Sequence, residues 1–257
     1  MPVGDIVHRL ESVPSTNDAA RALAFQGVAH GTVIVAGEQT RGRGTKGRAW
    51  HSPTGLGLYA SFILRGHGAG PLPFPHLIPL AAGLAASDSV HEAAGFEPRL
   101  KWPNDVLYEG KKLGGILSEA VSGTAGGDFA VVGVGLNVGH GPSDFPEELR
   151  GAATSIRLAI GRAVAVEALL GALCRGLERW YNVLARGKPE TVVRAFEARS
   201  AFPPGTALRI ETAEGAFEAD YRRLDTNGRL VVERRDGRGT VALAAVVKIG
   251  RAAGGGS

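Results

Sequence analysis

The sequence holds almost no cysteine: Cys174 is the single one in 257 residues. An intrachain disulfide is therefore excluded, and so is a cysteine-built zinc site. Long apolar runs are missing as well. Nothing approaches the ~18 residues of a membrane span, and the longest mild stretch, Leu77 to Ala86, contains Pro79 and Gly83 and reads as a buried helix. The N-terminus carries Asp5 and Glu11 and has no apolar signal core. A cytoplasmic protein with no membrane partner is the expectation. The net charge is only +4, too small to suggest nucleic-acid binding through a global field. One further absence is local. Between Glu38 and Asp88 there is no acidic side chain, while Arg41, Arg43, Lys46, Arg48 and Arg65 fall in the gap. The bland reading is a solvated basic loop; the sharper one is an anion site, which the glycines among the arginines favour.

What is present is enough apolar sequence, 44% hydrophobic residues, for a sizeable core. Ser15 to Phe25 predicts a helix, with Ser15 or Thr16 as the cap and an apolar face of alanines and Leu23. Thr32 to Ala36 and Leu56 to Leu64 predict strands, and Pro75 to Ala94 a helix. Arg99 to Trp102 predicts a short strand, Val106 to Tyr108 and Leu113 to Val121 a hairpin turning at Glu109-Gly110, and Phe129 to Val138 a buried strand. Gly139 to Arg150 reads as a polar loop, Arg162 to Ala185 as a long amphipathic helix and Thr191 to Arg199 as a shorter one.

After Phe202-Pro-Pro-Gly205 the pattern changes to short alternating segments, Ala207 to Glu211, Gly215 to Leu224, Leu230 to Glu233 and Val241 to Ile249, with hairpin signals at Asn227-Gly228 and Asp236-Gly237. The expected architecture is α+β: a mixed-sheet catalytic domain over 1–201, packed with helices, a small SH3-like β-barrel over 202–251, and a flexible tail over 252–257.

Three blocks carry chemistry. The first, Gln39-Thr-Arg-Gly-Arg-Gly-Thr-Lys-Gly-Arg-Ala-Trp50, contains G-x-G-x-x-G at Gly42, Gly44 and Gly47. A dinucleotide fold needs a helix opening there and an acid about 20 residues on; Pro53, Gly55 and Gly57 follow instead, and the next acid is Asp88. A Walker loop fails for want of Gly-Lys-Ser/Thr. What remains is a loop of glycines, whose N–H groups approach ligands closely, and cations able to grip phosphate or carboxylate. The second block is Lys101-Trp-Pro-Asn-Asp-Val106 with Lys111 to Glu119; the third is Val131 to Val138, where Asn137 interrupts an apolar run. Read alone, Asn104 and Asp105 are turn formers, Lys111 and Lys112 a solvated pair, and Asn137 either caps the chain or binds a ligand.

In this order the three blocks resemble the biotin–protein ligase family, and the resemblance extends over the whole chain. It implies activation of biotin with ATP as biotinyl-5'-adenylate, then transfer to a lysine of a biotin carboxyl carrier protein domain of acetyl-CoA carboxylase, with Mg²⁺ on the phosphates. A homodimer is left open. Ser15, Thr16 and Asn17 match the family's border of the biotin pocket, which also draws on Gln39, Gly42, Arg43, Gly44, Lys112 and Gly115. Arg43, Thr45, Lys46, Arg48, Trp50, Asn104 and Asn137 match its nucleotide side. Lys112 matches the essential lysine, with Arg43 beside it in the catalytic set; Asp105 is the candidate to orient or deprotonate the acceptor amine, against a purely structural turn aspartate. One departure is Thr45, where the family commonly has an arginine associated with retaining the adenylate. The Ser-Thr-Asn motif begins so early that no N-terminal helix-turn-helix domain, and no DNA partner, is expected. Lipoate–protein ligase is the nearest alternative.

Overall fold

The structure is a computed structural model that describes residues 1–66, 70–123, 127–243 and 246–252. All but the first residue of the expected tail lies outside them. Among the described residues no helix is long and apolar enough to cross a membrane.

The larger sheet is built from β1 (Val7–Val13), β2 (Val33–Gln39), β3 (Gly57–Arg65), β4 (Arg99–Lys101), β5 (Asp105–Tyr108), β6 (Lys111–Val121) and β7 (Phe129–Asn137). Its order is β1-β2-β3-β7-β6-β5-β4. The β1–β2 pair is parallel, and the others are antiparallel. The β5–β6 turn forms at Glu109 and Gly110, both at positive φ (48° and 76°), which is the twist a two-residue hairpin needs. β1 was not expected from the sequence. It is an edge strand with mostly exposed side chains, so no buried face marks it with a period of two.

Both faces of this sheet are covered, which is why β3 is buried nearly end to end. Helix α1 (Thr16–Phe25) lies on one face, packing Ala20 and Ala24 against Ile34, Ile63, Phe129 and Val131. On the other face lie α2 (Ile78–Ala94), α4 (Val166–Ala185) and α5 (Pro189–Ala198), with Leu84, Leu173, Leu177 and Phe196 in the main core. The helix expected from Pro75 opens as a 3₁₀ turn over Pro75–Leu77 and becomes α-helical at Ile78.

The long helix expected from Arg162 starts at Val166 instead. A short helix, α3 (Ile156–Ile160), comes first, capped by Ser155 Oγ on the Leu158 N–H at 3.1 Å and closed by Gly161 in the left-handed region. That glycine interrupts the chain where Arg162 was expected to begin a helix.

The smaller sheet contains β8 (Ala207–Thr212), β9 (Gly215–Leu224), β10 (Leu230–Arg234), β11 (Thr240–Leu243) and β12 (Lys248–Arg251), all antiparallel in the order β11-β10-β9-β8-β12. The expected segment Val241 to Ile249 is therefore two strands at opposite edges rather than one. The strand content is SH3-like. The sheet is tied to the end of β4 by Trp102 Nε1, which donates to Gly228 O at 2.9 Å, and to α5 by Glu197, whose Oε1 accepts from Tyr221 OH at 3.2 Å and Leu224 N at 2.5 Å.

Candidate active site

Along β7 the side chains of residues 129, 131, 133, 135 and 137 share the α1 face. Phe129 and Val131 sit under α1; beyond them the series becomes Gly133, Gly135 and Asn137. Register places Gly133 between Ser61 and Leu117, and Gly135 between Tyr59 and Gly115. The glycines hollow this face into a cavity of about 250 Å³. Residues 40–50 arch over it after β2.

The close approaches need those glycines. A methyl at Gly133 would lie 2.2 Å from Asn17 Oδ1, and one at Gly135 2.6 Å from the Trp50 indole, closer than carbon atoms tolerate. Trp50 thus lies over the β6–β7 pair, and Lys112 Nζ is 5.4 Å from its ring centroid.

One end of the cavity is a buried, neutral hydrogen-bond network. Ser15, Thr16, Asn17 and Ser61 are at most 4% exposed. Asn17 Nδ2 donates to Leu117 O at 3.2 Å and to Glu119 Oε2 at 3.1 Å, which turns its Oδ1 toward Ser61 Oγ, 2.6 Å away. Ser61 Oγ is also 2.8 Å from Thr16 Oγ1, which is 3.0 Å from Gln39 Oε1. Gln39 Oε1 accepts the Thr16 N–H at 2.9 Å, and its Nε2 donates to Ser52 Oγ at 2.9 Å. The Ser61 and Thr16 hydroxyls have one proton each but take part in three oxygen–oxygen contacts. In every arrangement one contact has no proton, so an acceptor oxygen is free to take a ligand N–H.

The other end is cationic. Lys112 Nζ lies 2.6 Å from Asp105 Oδ1, and Lys101 Nζ 3.9 Å from Asp105 Oδ2. Burial is the main reason the Lys101 amine stands below its ordinary value; Asp105 opposes this, while Lys112 and Arg48 add to it. Arg48 is exposed, and among the described residues its guanidinium bonds locally, to Thr45 O at 3.4 Å and Thr45 Oγ1 at 3.2 Å. Lys46 reaches out of the loop to Val247 O at 2.8 Å; burial, then Arg48, lowers its amine, and Asp105 partly offsets them.

Arg43 faces neither end freely. Its guanidinium is ion-paired with both Asp18 and Glu119. Burial works against the charge, but Glu119 and Asp18 outweigh it and hold Arg43 above its ordinary value. In this arrangement Arg43 pins the arch to α1 and β6.

Asn137 is buried, and its Nδ2 donates to Thr154 O at 2.9 Å and Lys112 O at 3.4 Å. It clamps the 152–154 segment, which pairs with Lys112 in parallel, against the cavity wall. Asn104 pairs twice with Ile116: Nδ2 to Ile116 O at 2.8 Å, and Ile116 N to Asn104 O at 2.9 Å.

Most of the sequence-predicted residues line this one cavity: Ser15, Thr16, Asn17, Gln39, Arg43, Gly44, Thr45, Arg48, Trp50, Asn104, Lys112, Gly115 and Asn137. Gly42, Lys46 and Asp105 do not line it. Gly42 is buried beneath the arch, its carbonyl accepting the Trp50 N–H at 2.9 Å; Asp105 touches it through Lys112. Sequence reasoning missed Ser61, Lys101, Asp18 and the role of Glu119. It also missed Phe145 and Leu149, which wall the cavity from the 139–155 segment. Lys101 sat inside a quoted motif, whereas Ser61 had no signal beyond being a polar residue in an apolar strand.

The model of the biotin/lipoate A/B protein ligase family matches residues 10–137. A bifunctional ligase/repressor BirA of Bacillus subtilis is 34% identical over 224 residues, 87% of this chain and 68% of that protein. A biotin--[acetyl-CoA-carboxylase] ligase of Paracoccus denitrificans is 34% identical over 241 residues, 92% of this chain and 98% of that one. The solved structure of a biotin protein ligase from Aquifex aeolicus in complex with biotin and ATP superposes with a TM-score of 0.81 at 26% identity, covering 96% of this chain and all of that chain (100%).

Proposed function

The chain belongs to the biotin/lipoate A/B protein ligase family, and from that premise we infer that it is an ATP-dependent biotin–protein ligase. It makes biotinyl-5'-adenylate and passes the biotinyl group to a carrier lysine. The observation that carries this reading is the pairing, in one cavity, of a buried neutral network short of one proton with a set of cations. A ureido ring offers two N–H donors and a carbonyl to the network; the cations suit a carboxylate and a polyphosphate.

In the first step a biotin carboxylate oxygen attacks the α-phosphorus of ATP and the bond to the β-phosphate oxygen breaks, releasing pyrophosphate. Two anions must meet, so charge neutralisation dominates the barrier. Lys112 is the cation between the two ends, held by Asp105 and backed by Trp50. Arg48 and Lys101 face the phosphate side, and Trp50 offers the adenine a flat aromatic surface. Arg43 keeps the arch over the adenylate. Among the described residues no group of three or more His, Cys, Asp or Glu side chains converges to hold a metal; Mg²⁺ would supply charge neutralisation on the triphosphate oxygens.

In the second step the amine nitrogen bonds to the biotinyl carbonyl carbon, the acyl–phosphate bond breaks and AMP leaves; the acceptor must be a neutral amine, because the ammonium has no lone pair. Asp105 is proposed to orient it and take its proton. Replacing Asp105 with Asn should slow transfer from preformed adenylate by about 10²-fold; unchanged transfer would reduce Asp105 to a partner of Lys112. We further propose catalytic and SH3-like units of 1–201 and 202–251. The acceptor is taken to be a carrier domain of acetyl-CoA carboxylase, the target that the Paracoccus relative's name gives for that protein.

Lipoate is the competing acid. Its dithiolane ring has no N–H, so it would leave the one acceptor oxygen that this network cannot satisfy internally without a partner, a penalty that makes such sites selective. Biotin-dependent release of pyrophosphate from ATP, with lipoate in parallel and a carrier domain then added, tests the assignment. Release with biotin followed by a biotinylated carrier lysine is expected. Release with lipoate alone would move the chain to the sister activity.

A further inference from the structure

Alternate residues of β6 face α1 in step with those of β7: Leu117 lies opposite Gly133, Glu119 opposite Val131 and Val121 opposite Phe129. Glu119 stands where the cavity floor gives way to the apolar packing under α1, for Leu117 lines the cavity and Val121 packs with the α1 cluster. A half-buried carboxylate at such a place needs partners, and each of its oxygens has one. Oε2 accepts from Asn17 Nδ2 at 3.1 Å. Oε1 pairs with Arg43 of the arch, whose guanidinium also grips Asp18, the residue after Asn17. Glu119 itself does not line the cavity.

The two ends of the Asn17 amide have nearly the same shape and opposite hydrogen-bonding sense. Which end faces the cavity therefore depends on what the other end meets. A carboxylate paired with an arginine accepts only. Glu119, with Leu117 O at 3.2 Å from Asn17 Nδ2, thus draws the amide N–H₂ away from the cavity. Oδ1 is left over Gly133, 2.6 Å from Ser61 Oγ. Arg43 donates only, so it keeps an acceptor of residue 119 turned toward the arch.

We propose that Glu119 is a positioning residue that sets the acid selectivity of the cavity. Through Asn17 it presents an acceptor, not a donor, to a ring N–H of the bound acid, and Arg43 holds it in that orientation. This rests on the reading of the neutral end as a ureido site. With glutamine at 119, Arg43 keeps the side-chain oxygen, and the glutamine N–H₂ meets Asn17 donor to donor. Asn17 then turns over and opposes its own N–H₂ to the ring N–H.

The test is calorimetric binding of two uncharged ligands to the full chain: the alcohol analogue of biotin, and its cyclic-carbonate counterpart, in which ring oxygens replace both N–H groups. The wild-type chain should prefer the ureido alcohol by about 10²-fold or more. Glu119→Gln should narrow that ratio about tenfold by weakening the ureido ligand alone. Asn17→Asp, which sets carboxylate against carboxylate, should weaken the same ligand. The combined Asn17→Asp and Glu119→Gln chain should recover most of the preference, because donor and acceptor have been exchanged between the two positions. That chain keeps the shape and net charge of the pair, so it carries the test even where a single variant does not fold. An unchanged ratio in Glu119→Gln, an equal loss of both ligands, or no recovery in the combined chain overturns the proposal. Equal affinity of the wild-type chain for the two alcohols fells the ureido reading itself, and the proposal with it.

Discussion

The two ends of the cavity are built on opposite principles. The network of Thr16, Asn17, Gln39 and Ser61 is buried, neutral and fixed by bonds to backbone and side chains of four elements. The cations are half-exposed or exposed, come from the arch, the end of β4 and the start of β6, and are mutually repulsive. The first end is preorganised for a ring of fixed hydrogen-bond pattern, where every buried polar group left unpaired is costly. The second holds charge in waiting and becomes favourable only when an anion arrives. Selectivity for the acid therefore belongs to the first end and acceleration to the second.

That division can be broken by substitution. Lys112→Ala should lower adenylate formation by about 10²–10³-fold, measured in a single turnover, and weaken biotin binding far less. Equal losses in both would make the ends inseparable. At the neutral end, Gly133→Ala places a methyl 2.2 Å from Asn17 Oδ1 and should raise the biotin KM about tenfold through displacement of Asn17. The ATP KM should stay put; a shift in ATP alone would sink the placement of the ring.

The smallest effect concerns Lys101. Its folded value is lowered from the ordinary 10.5, so between the two values the unfolded chain binds more protons and folding strengthens as pH rises. Lys101→Gln should accordingly raise Tm by about 2 °C near neutral pH, and the advantage should vanish as pH is taken up through that window. A Tm difference independent of pH would mean that the charged amine carries no such penalty in the fold.

How much was legible beforehand follows the same division. The arch and the Lys-Trp-Pro-Asn-Asp turn are contiguous in sequence, so their glycines and charges could be read together. The neutral network is assembled across long separations: Ser61 reaches Asn17 and Thr16 from another strand, and nothing local marks it. Arg43 was matched to both the biotin and the nucleotide side from the loop alone, whereas its ion-pair partners, Asp18 and Glu119, lie far away in the chain and left no local sign. The edge strand β1 was invisible because its exposed side chains carry no alternation.

The most direct measurement is ionic strength against affinity at each end. The Debye length falls from about 10 Å at 0.1 M salt to about 3 Å at 1 M, so a charge-built site weakens over that range and a neutral one does not. Calorimetry with pyrophosphate reads the cationic end, and the alcohol analogue of biotin, which lacks the carboxylate, reads the neutral end. The account predicts a steep loss of pyrophosphate affinity and a nearly constant affinity for the alcohol. Parallel loss of both, or constancy of both, would contradict it.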